Sequence, residues 1–373
     1  MRTPRIVATF LAAIVLPSAA EAACPSPSAD QTIQLPGHPF AAEPSPDNCH
    51  LFVSLMPKSG KGSLAVLDNH AGVFQVARVI KMPRGSGGGL TLDHRGGVLA
   101  VAAEDAVVLF DISKLETADQ DAVTAVIPES EEGVIYTQFS RDDALLFVSE
   151  ERNASLGVID VGAALKGAGG RALTGRIPVG RAPVGLTLSA DGSHLFSTSE
   201  VASASQDCKG EQDGAPRHGK GAVYAIDIAK AATEPRKAVT GMILAGCNPV
   251  RVVASPDGHA LWVSQRGDGR LMGFDASLLA RGTPGRALTI EIGSSPVGLA
   301  LRPDGKQLWV ADSDRFGREG GRLAMVEMVS PTEIKIGQSV KVGRFPRDLR
   351  FLPDGKTLVV ALFGDDAVLL HLT

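Results

Sequence analysis

The sequence predicts an all-β fold, a seven-bladed β-propeller with four antiparallel strands per blade, and three observations carry that expectation. The first is a turn of Pro-Asp-Gly type that recurs seven times, marked by Asp47, Arg95, Asp142, Asp191, Asp257, Asp304 and Asp354. Four residues past each mark stands a leucine: Leu51, Leu99, Leu146, Leu195, Leu261, Leu308 and Leu358. Six past it stands a valine in six copies (Val53, Val101, Val148, Val263, Val310, Val360) and Ser197 in the other. The marks lie 48, 47, 49, 66, 47 and 50 residues apart, a self-similarity that belongs to propellers and solenoids rather than to a two-domain enzyme. The second observation is composition: 44% hydrophobic but only 5% aromatic, with 42 glycines, so the core is built from Val, Leu, Ala and Ile on close-packed strands with glycine at the turns. The third is that the two chain ends complement each other, as shown below.

Residues 1–22 read as a cleaved signal peptide. Arg2 and Arg5 form the charged start, Ile6 to Leu16 an apolar stretch too short to span a bilayer, and Ala20-Glu21-Ala22 a cleavage site with the cut after Ala22. Glu21, three before Cys24, argues against a lipoprotein. The mature chain, 23–373, is then one propeller domain, soluble and exported to the periplasm or beyond, and expected to be a monomer with no further membrane span.

Each repeat begins with an apolar stretch such as Val297-Gly298-Leu299-Ala300-Leu301, turns at Pro303-Asp304-Gly305 and returns as Gln307-Leu308-Trp309-Val310, the pattern of a hairpin. A third strand closes on an acid: Asp68, Asp111, Asp160, Asp227, Asp275 or Glu327. Aspartate suits that place because its carboxylate accepts backbone N–H bonds and starts a turn. A weaker fourth strand follows, Glu333 to Val340 for example. The last repeat ends at Thr373 without a fourth strand, and Gln31 to Leu35 at the other end has the alternation to supply it. Closing the ring this way leaves no open edge.

In such a blade the loop leading in and the loop between the second and third strands share a face, opposite the Pro-Asp-Gly turns. The fourth repeat carries about 18 extra residues on that loop face, Val201 to Gly221, a candidate lid. Export makes disulfides of the four cysteines, and although four permit three pairings, the topology selects. Cys208 in the insertion and Cys247 in the next lead-in loop share one face; Cys24 and Cys49 share the other.

Ala182-Pro183-Val184-Gly185-Leu186 before Ser189-Ala190-Asp191-Gly192, and Phe345 to Asp354 leading to Thr357-Leu358-Val359-Val360-Ala361, resemble the YVTN-repeat, YncE-like family. That pattern shades into the seven-bladed lactonase family and, more loosely, the heavy chain of methylamine dehydrogenase. The resemblance covers roughly residues 31–373. It implies the propeller architecture; lactonase relatives imply hydrolysis or isomerisation of a sugar or aliphatic lactone, and dehydrogenase-like relatives a partner subunit that carries the cofactor. It assigns no catalytic residue.

Propeller ligands bind where the loops converge at the channel mouth. The positions that begin the inner strands are Ala41, Gly89, Tyr136, Gly185, Arg251, Gly298 and Asp348. Most are small, so Tyr136, Arg251 and Asp348, with Arg347 adjoining, stand out. Polar residues then gather past the second strands: Glu150, Glu151 and Arg152; Glu200; Gln265 and Arg266; Asp312, Asp314 and Arg315. With His38 on the same face, the candidate mouth set is His38, Tyr136, Glu150, Arg251, Arg266, Asp312, Asp314, Arg315, Arg347 and Asp348. Arginines converging on a concave site suit an anionic sugar or carboxylate.

Other chemistries find little here. His50, His94, His194 and His259 all sit at the Pro-Asp-Gly turns, one per blade, and there is no HExxH, CxxCH or EF-hand spacing, so neither metal nor cofactor is expected. No G-x-S-x-G elbow occurs, and Gly85-Ser86-Gly87-Gly88-Gly89 lacks the Lys-Ser/Thr of a phosphate loop. A formal charge of -4 without a basic, aromatic-laced stripe argues against nucleic acid. Three readings remain: a binding propeller for a small ligand or an extracytoplasmic protein, a cofactor-independent lactonase-like hydrolase, and a propeller subunit of a redox complex.

Overall fold

The computed structural model describes residues 24–373 apart from 118–120, 130–132, 211–214, 316, 318–319 and 331–332; the signal segment, 1–22, lies outside the described residues. Seven four-stranded antiparallel sheets form seven blades. The first strands of successive blades touch one another right round the molecule, the seventh returning to the first, so these strands line a central channel. Their ranges are His38–Pro44, Leu90–Leu92, Val134–Phe139, Arg181–Leu188, Pro249–Ala254, Pro296–Leu301 and Pro346–Phe351. Blade seven is completed from the other end of the chain. Gln31–Gln34 pairs antiparallel with Ala367–Leu372, in the register Gln31 to Leu370 through Gln34 to Ala367.

The repeated leucines and valines are the core. All seven leucines, and the seven residues two positions on from them, have no exposed surface. At roughly 25 cal/mol per Å² of apolar area removed from water, they explain why this short pattern persists where the rest of each repeat varies. Ser197 keeps its place in the series because it too is fully buried.

The turns are held by their own aspartates. Asp142, Asp191 and Asp257 each accept a bond from a serine hydroxyl two residues before and from a backbone N–H two residues after. At Asp191 these bonds, the Ser189 hydroxyl first, hold the carboxyl down at about 2.

One local outcome goes beyond the sequence expectation. In blades two to five the acid that closes the third strand caps a one-turn helix: Ile112–Glu116, Val161–Leu165, Ile228–Thr233 and Ala276–Ala280. Asp160, Asp227 and Asp275 accept the backbone N–H three residues on at 2.8, 2.9 and 2.9 Å, an N-cap worth about 1 kcal/mol. In blade one the carboxylate of Asp68 is instead engaged by His50 (3.1 Å) and Arg78 (3.2 Å), and the third strand runs on to His70.

Cys24 is bonded to Cys49 and Cys208 to Cys247, the pairing that the shared faces select. Two disulfides suit an extracytoplasmic protein, and no helix among the described residues is long and apolar enough to cross a membrane.

Candidate functional site

A shift of register at the top of the inner strand occurs in six of the seven blades. Such bulges re-aim side chains and gather near functional sites. In blades one, three and seven the extra residue is Phe40, Ile135 and Arg347: Pro39 and Ala41, Val134 and Tyr136, and Pro346 and Asp348 pair with consecutive partners.

Below the mouth, Arg251 and Asp348 form a buried ion pair, 8% and 2% exposed at the side chain. The Arg251 guanidinium also lies over the Tyr136 ring, 3.6 Å from its centroid, a cation–π contact. Burial pushes the Tyr136 hydroxyl above its ordinary value. The glycines among the lead-in positions make this layer possible, since a Cβ on Gly89 would collide with the Tyr136 ring. A second charged layer follows, Arg350 donating to Glu43 at 3.3 Å, with burial pushing the Glu43 carboxyl up. Arg251, Asp348 and Tyr136 together brace and plug the channel.

Above them opens a cavity of about 190 Å³, lined among others by Tyr136, Glu151, Glu200, Arg266, Arg315 and Arg347. Arg347 is held by aromatic rings: its guanidinium carbon lies 3.8 Å from the centroid of Phe40, 5.7 Å from Phe345 and 5.6 Å from Phe363. Burial, and then the positive charges of Arg315, Arg251 and Arg266, lower its affinity for a proton despite the opposing pull of the Tyr136 hydroxyl. Its Nε has no hydrogen-bond partner, and it forms no ion pair with any described carboxylate. Arg266, by contrast, grips both oxygens of Glu200 at 3.1 and 3.0 Å. Phe345 reaches its place with φ 49°, a left-handed conformation rare for a bulky residue. Asn248, at the matching place before the proline of blade five, does the same with φ 47° and donates to Glu200 at 3.0 Å. Backbone strain of this kind concentrates at functional sites.

A second cavity of about 230 Å³ adjoins the first, sharing Arg266 and Arg315 as walls and adding Lys209, Ser294, Ser295 and Asp314. Lys209 belongs to the insertion, which leaves the strand His194–Val201 and returns at Ala222. Cys208 and His218 exchange backbone bonds of 3.0 and 3.1 Å across it, and the disulfide to Cys247 fastens it over the blade-five lead-in loop.

Of the candidate set, Tyr136, Arg266, Arg315 and Arg347 line the mouth and Asp314 the adjoining cavity; Arg251 and Asp348 are the plug beneath. The other three lie elsewhere. His38 stacks on Phe363 at 4.9 Å and meets Asp366 at 2.5 Å, outside the cage. Asp312 accepts from the backbone of Ser295 at 2.7 Å and so fixes a loop. Glu150 is buried toward the rim, bonded to Ser155 at 2.5 Å and to Arg176 at 2.8 Å. Arg176 also holds Glu129 at 2.7 Å. Burial, with the charge of Glu150 added, pushes the Glu129 carboxyl up to about 7, against the pull of Arg176.

Sequence reasoning missed the cage of Phe40, Phe345 and Phe363, and Lys209. One signal was present: Phe363-Gly364-Asp365 follows its second strand as Arg266-Gly267-Asp268 follows its own, and both segments form a short 3₁₀ turn.

No family model matches the chain, and no curated protein does. Solved structures similar to it include a chain of Kuenenia stuttgartiensis hydrazine synthase, 19% identical with a TM-score of 0.70 over 91% of this chain and 96% of that one. The β-propeller domain of Myceliophteria thermophila Cps50 (Swd1) is 13% identical, with a TM-score of 0.66 over 92% and 99%. A chain of a mitotic checkpoint complex is 14% identical, with a TM-score of 0.69 over 100% and 99%. At these identities the likeness speaks for the fold alone.

Proposed function

We propose that this protein is an exported binding propeller resembling the YncE-like family, and that its channel mouth takes a small anionic ligand on Arg347, flanked by Arg266 and Arg315. The observation that carries this reading is the state of Arg347: a half-buried guanidinium, oriented by three aromatic rings and facing a cavity without a carboxylate partner among the described residues. Buried cations normally acquire a counter-charge, and a ligand carboxylate or phosphate supplies one with bidentate geometry. The two disulfides support export.

The lactonase-like alternative asks for a base at the mouth. Arg266 already holds Glu200 at the mouth and Arg251 holds Asp348 beneath it, so the base that this alternative would use is Glu151, which lines the mouth and whose carboxyl burial pushes up. The test is calorimetric titration of the protein with small organic acids and inorganic phosphate. At least one should bind, and R347Q should weaken it by about tenfold or more, in line with roughly 1.5–3 kcal/mol for a hydrogen bond to a charged group. Thermal melts confirm that the variant is folded. Binding that survives R347Q unchanged sinks the proposal.

A further inference from the structure

His38 stands outside the cage of Phe40, Phe345 and Phe363 but is attached to it. Its ring stacks on Phe363, with centroids 4.9 Å apart and planes 19° from parallel. Phe363 in turn lies 5.0 Å from Phe345 and 5.6 Å from the Arg347 guanidinium carbon. His38 also opens the strand His38–Pro44 that carries Phe40, whose ring centroid is 3.8 Å from the same guanidinium carbon. Two of the three rings that orient Arg347 are therefore tied to this one residue, Phe363 by stacking and Phe40 through the backbone.

The imidazole is itself fixed. Its Nδ1 lies 3.1 Å from the Phe363 carbonyl and 2.5 Å from Asp366 Oδ1. Both are acceptors, so Nδ1 carries a hydrogen in either charge state and Nε2 is where a second proton arrives. Lys58 takes the other Asp366 oxygen at 2.6 Å, and the neighbouring Asp365 is paired with Arg344 at 2.7 Å. Against the cost of burial, Lys58 and then His38 hold the Asp366 carboxyl below its ordinary value, so it stays ionised while a histidine titrates. Because Lys58 already balances Asp366, a protonated ring brings a further positive charge. The His38 side chain is 32% exposed, enough for solvent to deliver that proton.

We infer that His38 is a positioning residue for the anion site and its pH sensor: the ring braces Phe363 beside Arg347, and protonation of Nε2 places a positive charge one aromatic ring away that tightens anion binding. This rests on the anion-binding reading above and deepens it. With His38 and Arg347 at 4.9 and 5.6 Å from one ring centroid, their separation is on the order of 10 Å or less, and the added attraction is worth about two- to threefold in affinity. Affinity therefore rises as pH falls through the histidine range, and by linkage a bound anion holds that proton in turn. Glu151, which lines the mouth, gives a dependence of the same sign, because burial and then the charge of Glu200 push its carboxyl up and its ionised form repels an anion. The arginines of the mouth stay charged throughout.

Calorimetric titration at pH 6 and pH 8 tests the inference, with the tightest binder among acetate, sulfate and the organic acids of the earlier panel; sulfate stands in for phosphate, whose own charge changes there. Wild type should bind about two- to threefold tighter at pH 6. H38F, which keeps a ring, should flatten that profile, and H38A, which has none, should bind more weakly than H38F at both pH values. In the wild-type protein, proton NMR should show the His38 imidazole titrating at higher pH with the anion bound than without it, a readout that needs no variant to fold. A profile as steep in H38F as in wild type assigns the dependence to Glu151 and overturns the sensor; H38A equal to H38F overturns the positioning role. Equal binding by wild type at both pH values leaves the anion site standing and this inference refuted. If no anion binds at either pH, both readings fall.

Discussion

Replacing Glu129 by glutamine should abolish a pH-dependent loss of stability that the wild-type protein carries. Glu129 has no exposed side-chain surface and shares Arg176 with Glu150. Burial and the neighbouring charge raise its carboxyl from the ordinary 4.5 to about 7. The sign follows from proton counting. Below about pH 4.5 the proton is bound in both states; between about 4.5 and 7 the folded protein keeps a proton that the unfolded chain has shed, so stability falls as pH rises through that window. At about 1.36 kcal/mol per pH unit the full cost is roughly 3 kcal/mol. The Arg176 side chain is 34% exposed, so water screens part of the field and about 2 kcal/mol is a fair expectation. Glutamine is isosteric, can still accept from Arg176, and never ionises. Urea unfolding followed by circular dichroism at pH 5, 6, 7 and 8 should therefore show E129Q gaining on wild type by about 2 kcal/mol across the range. A difference that stays flat with pH, or shrinks toward pH 8, refutes the reasoning.

Two further outcomes concern the plug and the clasp. D348N should destabilise by about 3–5 kcal/mol because it strands the buried Arg251 charge, whereas the double change R251M/D348L should recover most of that loss; equal losses in both would mean that packing, not charge, is at stake. C208A/C247A should cost roughly 3–4 kcal/mol in urea, the loop-closure value for a sequence separation of 39, while leaving the far-ultraviolet spectrum of the propeller in place. A collapse of that spectrum would make the insertion part of the scaffold.

The architecture was legible because its cause is local and repeated: a leucine in every copy, and a valine in six of the seven, at fixed distance from a turn must face inward, and the structure buries all of them. The disulfides were legible because strand direction alone decides which face a loop occupies. At the site, Tyr136, Arg251 and Asp348 stood out as bulky or charged residues where the other blades have small ones. Glu150 misled because position along a strand gives height in the blade but not distance from the axis; its partner Arg176 lies on the fourth strand, at the rim. The cage escaped for a different reason. The bulges at Phe40 and Arg347 break the two-residue alternation from which a side chain's direction is read, and Phe345 reaches the mouth through a backbone conformation that nothing in its side chain announces.

The pairing of Gln31–Gln34 with Ala367–Leu372 has a consequence for the order of events as the polypeptide is made. Six sheets can assemble from consecutive segments as they emerge, but the seam of the seventh stays unzipped until Ala367–Leu372 has been made. Gln31–Gln34 must therefore wait, unpaired, while more than three hundred residues are made, and removing those four residues would leave every other sheet made and the circle permanently ajar.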